Sequence, residues 1–383
     1  MEKSVQTGRN YTMSAKDIRV LVVDDSPLIR EIICDQVATA AGMEVVGTAA
    51  HGRQALSLID SKRPDVVTLD IQMPQMDGLT TLDEILKRQP LPVIMVSALT
   101  QLGATTTLDA LDRGAVDYLE KPQSDALSAE AFRDELLRKI RMAAGADVRR
   151  ILEIRQERKQ RREEQKRQIR APIQVAPVAS AELADKCIAI GISTGGPPAL
   201  SGLFETLRPP MPPIVVVQHM PPHFTKPFAW RLNSLTSLSI KEAESGDVLR
   251  PNHVLVAPGG RHLLLRSSAR MVKVVLSDGP PVSSHKPSVD VMMKAAAEVY
   301  GNRVLGVIMT GMGRDGADGC AAIRAGGGYV LGQDEASSDV YGMNRVAYVE
   351  GHVDRQFGLG DAARTISLQI KRLWQRRPAA AAP

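Results

Sequence analysis

The sequence predicts two α/β domains in series: an N-terminal doubly wound (βα)5 unit, then a C-terminal α/β unit on a mostly parallel sheet. Three observations predict this. Short, fully apolar runs alternate with helix-compatible stretches in both parts of the chain, the pattern of parallel strands covered on both faces. Residues 138–184 interrupt that alternation, first with charge and then with Ala and Pro. The chain of 383 residues has room for two cores and a connector.

In the first part the apolar runs are Val20–Val23, Val66–Leu69, Val93–Val96 and Val116–Leu119, taken as the first, third, fourth and fifth strands. Leu28–Ala40, Gly52–Ser61, Thr80–Lys87 and Thr105–Asp112 are the helical stretches between them. This domain is expected over 17–137. The next segment, 138–184, begins charged and helix-prone and ends in Ala-Pro-Ile-Gln-Val-Ala-Pro-Val-Ala-Ser, which has no regular pattern to pack, so it reads as a linker. From Cys187 the alternation resumes with Cys187–Ile190, Ile214–Val217, Val254–Val256, Val304–Met309 and Tyr329–Leu331, giving a second domain over 185–376. Residues 378–383 read as a disordered tail.

Aromatic residues make up 3% of the chain, so the cores must be built from Val, Ile, Leu, Ala and Met. The polar N-terminus lacks the apolar centre of a secretory signal, and no apolar run reaches bilayer length. Cys34, Cys187 and Cys320 lie far apart, which argues against a disulfide framework or a zinc site. A cytoplasmic protein is expected. The net charge of +5 is local: residues 138–170 carry 13 Lys or Arg against 5 Asp or Glu, leaving the rest of the chain slightly acidic. A solvated connector explains that excess, and a patch for acidic partners is the alternative. No helix-turn-helix candidate appears after residue 185, so a nucleic-acid output is disfavoured.

In a doubly wound sheet, functional side chains collect beyond the carboxyl ends of the strands. There stand Asp24 and Asp25 after the first strand, Asp70 after the third, Ser97 after the fourth and Lys121 after the fifth. Carboxylates converging on one rim repel each other and require a cation; a hard divalent ion such as Mg²⁺ meets that need and suits phosphate chemistry. Val-Leu-Val-Val-Asp-Asp-Ser, Leu-Asp-Ile-Gln-Met-Pro-Gln-Met-Asp-Gly, Ser97-Ala98 and Lys121-Pro122 resemble the receiver domain of bacterial response regulators. The resemblance implies that Asp70 accepts a phosphoryl group from a histidine kinase. It also implies that Asp25, Asp70 and the Gln72 carbonyl bind Mg²⁺, with Asp24 acting mainly through water. Ser97 and Tyr118 match the positions that couple phosphorylation to the receiver surface.

In the second domain, Gly191-Ile-Ser-Thr-Gly-Gly follows an apolar strand and precedes a helix-compatible run, placing Ser193 on a tight turn beside free helix N–H groups. The letters also fit a nucleophile elbow. A serine needs a base, and the base an orienting acid. His219 and Asp315 each follow an apolar strand and reach the same rim; His223, His253, His262 and His285 also lie near turns. The order Ser, His, Asp is not that of the standard α/β-hydrolase, where a base would follow Asp315; His352 lies in no suitable context. A rival reading takes Gly311-Met-Gly-Arg-Asp-Gly316 as a dinucleotide loop with Asp334 on the ribose. Asp315 inside a pyrophosphate loop weighs against it, as does the absence of any role for Ser193 and His219.

Ile-Gly-Ile-Ser-Thr-Gly-Gly-Pro, Gln-His-Met-Pro-Pro, Val-Ala-Pro-Gly-Gly, His-Lys-Pro-Ser-Val-Asp, Met-Thr-Gly-Met-Gly-Arg-Asp-Gly and Gln-Asp-Glu-Ala-Ser are similar to the chemotaxis protein-glutamate methylesterase family, in that family's order. The resemblance implies Ser193 as nucleophile, His219 as general base and acid, and Asp315 as the acid orienting His219. Backbone N–H groups at Thr194 and Met312 would hold the oxyanion. It implies hydrolysis of glutamate γ-methyl esters on methyl-accepting chemoreceptors, under phosphorylation control and without a metal or organic cofactor for that step, and deamidation of receptor glutamines. Membrane contact would come only through the receptors. One position departs: Asn344, where the family usually has proline, which alters backbone stiffness in a substrate-facing loop. A phosphorylation-controlled interaction protein with a dead serine site is the remaining alternative.

Overall fold

The computed structural model of the chain describes residues 17–98, 101–122, 126–168, 182–268 and 271–374. The expected irregular stretch 171–180 and the tail 378–383 lie outside the described residues, as does most of the polar N-terminus.

The N-terminal domain runs β1 (Ile18–Val23), α1 (Pro27–Ala38), β2 (Met43–Ala49), α2 (Gly52–Lys62), β3 (Val66–Asp70), α3 (Gly78–Arg88), β4 (Val93–Ser97), α4 (Gln101–Arg113), β5 (Asp117–Glu120) and α5 (Ala126–Ala144). Its five strands are all parallel in the order β2-β1-β3-β4-β5. β3 and β4 are buried throughout, as strands covered on both faces must be. The sequence pattern had named no run for β2, because it is an edge strand whose middle residues are half exposed. The direction of winding reverses between β1 and β3, so Asp24 and Asp70 flank the crevice at that switch point.

The expected boundary at 137/138 falls inside α5, which continues to Ala144 and is followed by α6 (Val148–Gln168). Ile140, Ala143 and Val148 join the N-terminal core. The first part of the basic segment is thus helix with a packed apolar face, and two of its charges, Lys139 and Arg155, are themselves largely buried in ion pairs with Asp117 and Asp339.

The second domain has a parallel sheet ordered β14-β13-β12-β6-β7-β9-β8 and a separate antiparallel hairpin. In chain order its elements are β6 (Cys187–Ile192), α7 (Gly196–Thr206), β7 (Ile214–Gln218), α8 (Pro222–Leu235), β8 (Ser239–Glu242) and β9 (His253–Val256). The hairpin β10 (His262–Ser268) and β11 (Met271–Ser277) comes next. α9 (Val289–Tyr300), β12 (Val304–Ile308), α10 (Ala317–Ala325), β13 (Tyr329–Gln333), α11 (Met343–Val349), β14 (Arg355–Phe357) and α12 (Ala362–Trp374) complete it. From β6 the chain builds outward through β7, then returns to the other side with β12. Three neighbouring strands, β12, β6 and β7, therefore deliver their following loops to one rim.

The two domains pack together. Arg231 of α8 holds Asp109 at 2.6 Å and also Asp112, both on α4. The Tyr118 ring rests on Phe224, centroids 4.8 Å apart. From α6, Arg155 donates to the Leu111 and Ala115 carbonyls of the first domain and to Asp339 of the second at 3.0 Å.

Candidate active site

Ser193 follows β6 directly. Its N–H donates to the Thr310 carbonyl (2.9 Å) and its carbonyl accepts from Gly196 N–H (2.8 Å), which closes the turn. Two glycines make the turn possible. Gly195 has φ +77°, and a Cβ there would lie 2.6 Å from the Asp339 Cβ; a Cβ on Gly311 would lie 2.6 Å from that of Ser193.

His219 follows β7, and its Nδ1 lies 3.0 Å from Ser193 Oγ while its Nε2 lies 2.8 Å from Asp315 Oδ2. The carboxylate fixes the proton on Nε2 and leaves Nδ1 as the acceptor facing the serine. Asp315 is fully buried, yet its carboxylate is surrounded by donors: Ser288 Oγ (2.8 Å), Val289 N–H (2.7 Å) and Asp290 N–H (3.0 Å), all at the N-terminus of α9. Burial alone would raise its pKa; the His219 hydrogen bond and charge, with the α9 amides, outweigh that and hold it down at about 2. His285 stacks on His219 with centroids 3.7 Å apart and planes 10° off parallel. Burial, then the neighbouring imidazole, lowers the His285 pKa to about 4, so it stays neutral beside His219.

Thr194 and Met312 flank the serine from the β6 and β12 loops. Among the described residues, neither backbone N–H donates to a protein acceptor. The Thr194 hydroxyl donates to Asp117 Oδ2 (2.8 Å), across the domain boundary. Asp117 is held in turn by the buried ammonium of Lys139 at 3.2 Å. A cavity of about 660 Å³ opens beside Ser193 and His219, and Glu120, Arg138 and Lys139 of the N-terminal domain form its opposite wall.

The glycine loop 311–316 is filled rather than open. Gly311 abuts Ser193, Asp315 turns inward to α9, and Asp334, the expected ribose ligand, caps its own turn through Ser337 N–H (2.9 Å). The dinucleotide reading is not favoured. Asn344 is buried, and its amide donates to the Gln333 carbonyl and to Ser338 Oγ, both at 2.8 Å, so it ties down the loop after β13. Of the other histidines, His253 bonds the Pro251 carbonyl, and His262 bonds the backbone of Ser288. Sequence reasoning gave no role to Ser288 or Asp117; each is ordinary in its local context and acquires partners only by folding.

At the first domain's rim, Lys121 Nζ lies 2.9 Å from both Asp24 Oδ2 and Asp70 Oδ2. Burial, opposed by the Lys121 hydrogen bond and reinforced by Asp24, raises the Asp70 pKa. Burial would lower the Lys121 pKa, but the two carboxylates raise it. Asp24, Asp25 and Asp70 each offer an oxygen within 4.8 Å of the others, a donor set suited to a hard divalent cation. Ser97 is buried at the end of β4, and Tyr118 is buried against Phe224.

Comparison with known proteins shows the family of each domain. Residues 188–366 match the CheB methylesterase family and residues 20–132 the response regulator receiver domain. A protein-glutamate methylesterase/protein-glutamine glutaminase of Geobacter metallireducens is 44% identical over 357 residues, 92% of this chain and 96% of that protein. One from Pectobacterium atrosepticum is 44% identical over 92% of this chain and 97% of its own length. Among solved structures, the Thermotoga maritima CheB methylesterase catalytic domain is 38% identical, with a TM-score of 0.47, covering 48% of this chain and 98% of that one. With two independent domains matched in order and near-complete coverage of full-length relatives, the chain belongs to the CheB methylesterase family and carries a response regulator receiver domain ahead of its α/β esterase domain.

Proposed function

We propose that this chain is a serine esterase that hydrolyses glutamate γ-methyl esters on methyl-accepting chemoreceptors, and deamidates selected receptor glutamines, under control of its receiver. The observation that carries the reading is the relay Ser193 Oγ, His219 Nδ1, His219 Nε2, Asp315 Oδ2, at 3.0 and 2.8 Å. Ser193 Oγ attacks the ester carbonyl as His219 Nδ1 takes its proton. The Thr194 and Met312 amides receive the oxyanion, and Asp315 steadies the imidazolium. His219 returns the proton to the departing methoxide, releasing methanol. Water then attacks the glutamyl-Ser193 ester, giving its proton to His219, and the glutamate leaves as Ser193 is reprotonated. An amide enters the same cycle and loses ammonia. No metal or organic cofactor has a part in this step.

In the receiver, Asp70 is the phosphoryl acceptor, and a histidine kinase is the donor class. Asp24, Asp25 and Asp70 would hold Mg²⁺, which supplies positive charge for the phosphoryl oxygens. Ser97 and Lys121 would contact those oxygens, and Lys121, now shared between two carboxylates, would be redistributed. We place the enzyme in the cytoplasm; no described helix is long and apolar enough to cross a membrane. The receiver, expected over 17–137, continues through α5 into the start of α6, the esterase occupies 185–376, and the remainder of 138–184 joins them.

Regulation follows from the packing. A receptor helix is roughly 10–12 Å across, and the receiver wall of the cavity stands where such a helix must approach Ser193. Phosphorylation at Asp70 remodels the surface around Tyr118 and loosens the contacts of Tyr118 with Phe224 and Asp117 with Thr194. Deleting residues 1–170 is expected to raise basal methanol release from a methylated glutamate peptide by roughly 5- to 150-fold, the ordinary range of allosteric coupling. Acetyl phosphate with Mg²⁺ should activate the full chain, and Asp70→Asn should abolish that response without lowering basal turnover. Equal activity of the intact and truncated enzymes, with or without acetyl phosphate, would instead make the receiver a recruitment module. Absence of methanol release from any of these forms would reject the esterase itself.

A further inference from the structure

We propose that Ser288 and His262 are positioning residues of the esterase: together they aim the Asp315 carboxylate at His219. The inference rests on the reading of Asp315 as the acid that orients His219. The loop carrying Asp315 does not orient it unaided. Asp315 lies between Gly313 and Gly316, whose φ values of +88° and +95° are left-handed and whose lack of a side chain leaves the backbone permissive. Orientation therefore has to come from outside the loop, and the contacts show where. Both carboxylate oxygens are engaged by the start of α9, Oδ1 by Ser288 Oγ and Asp290 N–H, Oδ2 by Val289 N–H and by His219.

Ser288 is the only side-chain donor to Asp315 besides His219 among the described residues. It is the N-cap of α9, and its hydroxyl accepts from Val291 N–H at 3.4 Å while donating to Asp315 at 2.8 Å. One hydroxyl thus ties the carboxylate to the first turn of the helix. Ser288 is anchored by His262, the first residue of β10, whose Nδ1 accepts Ser288 N–H (3.2 Å) and whose Nε2 donates to the Pro280 carbonyl (2.9 Å). That pairing selects the neutral Nε2–H tautomer, because a proton on Nδ1 would face the amide. His262 is 3% exposed and Ser288 fully buried. The loop's far side is clamped separately: Asp290 Oδ1 accepts from Gly316 N–H (2.9 Å) and Gly319 N–H (2.8 Å). The β10–β11 hairpin, which lies outside the central sheet, in this way reaches the catalytic relay through two hydrogen bonds.

The test uses the full-length protein with a glutamate γ-methyl ester peptide, and ¹⁵N-histidine NMR to follow the His219 Nε2–H bonded to Asp315. Ser288→Ala should lower kcat by roughly 10- to 100-fold, the range set by losing one hydrogen bond to a charged group, with KM little changed. It should also shift or broaden the His219 resonance. Ser288→Thr, which keeps the hydroxyl, should restore most of kcat and the resonance. His262→Asn should fall between them, and near-ultraviolet circular dichroism checks that each variant is folded. Wild-type kcat in Ser288→Ala would overturn the proposal. So would equal losses in the Ala and Thr variants with an unmoved His219 resonance, since packing alone would then account for them. Should Ser193→Ala retain turnover, the underlying triad reading fails; should Ser193→Ala be inactive while Ser288→Ala is normal, only this inference fails.

Discussion

Replacement of Ser193 by Ala is expected to lower methanol release on the order of 10⁶-fold, the loss typical of a missing triad nucleophile. The effect is that large because the groups around it act as a unit. Without Oγ there is no acyl-enzyme, and the His219 Nδ1 acceptor, the free Thr194 and Met312 amides and the Asp315 anion have nothing to act upon. His219→Ala should cost a comparable factor. Stability should hardly change in Ser193→Ala, since one hydroxyl hydrogen bond contributes about 1 kcal/mol. Thermal unfolding separates the two effects: an inactive variant with an unchanged midpoint is the expected result. A tenth of wild-type turnover retained in Ser193→Ala would rule out the serine mechanism, and so would fluorophosphonate labelling that survives the substitution.

Replacement of Asp315 by Asn should cost on the order of 10⁴ in turnover. An Asn amide has one acceptor oxygen where the carboxylate has two, while its surroundings offer the His219 Nε2, the Ser288 hydroxyl and two α9 amides. Whichever way the amide sits, its NH₂ faces a helix N–H. In one orientation it also donates to His219 Nε2, forcing the proton onto Nδ1, where it blocks acceptance from Ser193. In either, the imidazolium formed during catalysis loses its anion. A pH signature accompanies the loss. The wild-type carboxyl is held at about 2 when folded, against an ordinary 3.8. A depressed acid stabilises the fold fully above its unfolded value, and that contribution disappears as pH falls through the folded value. The wild-type protein should therefore lose about 2 kcal/mol between roughly pH 4 and pH 2 from this group, and Asp315→Asn should lack that component. Thermal midpoints of the two proteins that fall in parallel across this window would refute the assignment of the depressed pKa to Asp315.

The sequence alone determined the parts of this protein that are set by local pattern. Fully apolar β-branched runs such as Val20–Val23 and Cys187–Ile190 mark buried parallel strands, because a strand covered on both faces needs no polar alternation. A polar residue at or just beyond the end of such a run, as with Asp24, Asp70, Ser193 and His219, marks the candidate functional rim, because loops at strand carboxyl ends are where a doubly wound sheet leaves room. Three of the four edge strands were not legible: β2, β8 and β14 are short or half exposed and carry no unbroken apolar run, and in the β10–β11 hairpin the triplets Leu263–Leu265 and Val274–Leu276 sit on partly exposed strands among polar residues. The helical tendency of the segment after 138 was legible, but its charge density concealed the buried face of Ile140, Val148 and Ile151.

The family resemblance singled out His219, and the tertiary structure supplies the physical reason that it meets Ser193. Five histidines lay near suitable turns, and strand order chose among them: β7 and β12 both flank β6, so His219 and Asp315 arrive on either side of the serine. Strand order is a long-range property, set by how layers of helix cover a sheet, and no window of sequence contains it. The same holds for the docked receiver. Asp117 and Thr194 are 77 positions apart, and a hydrogen bond between them exists because two finished surfaces fit, which local residue pattern does not encode.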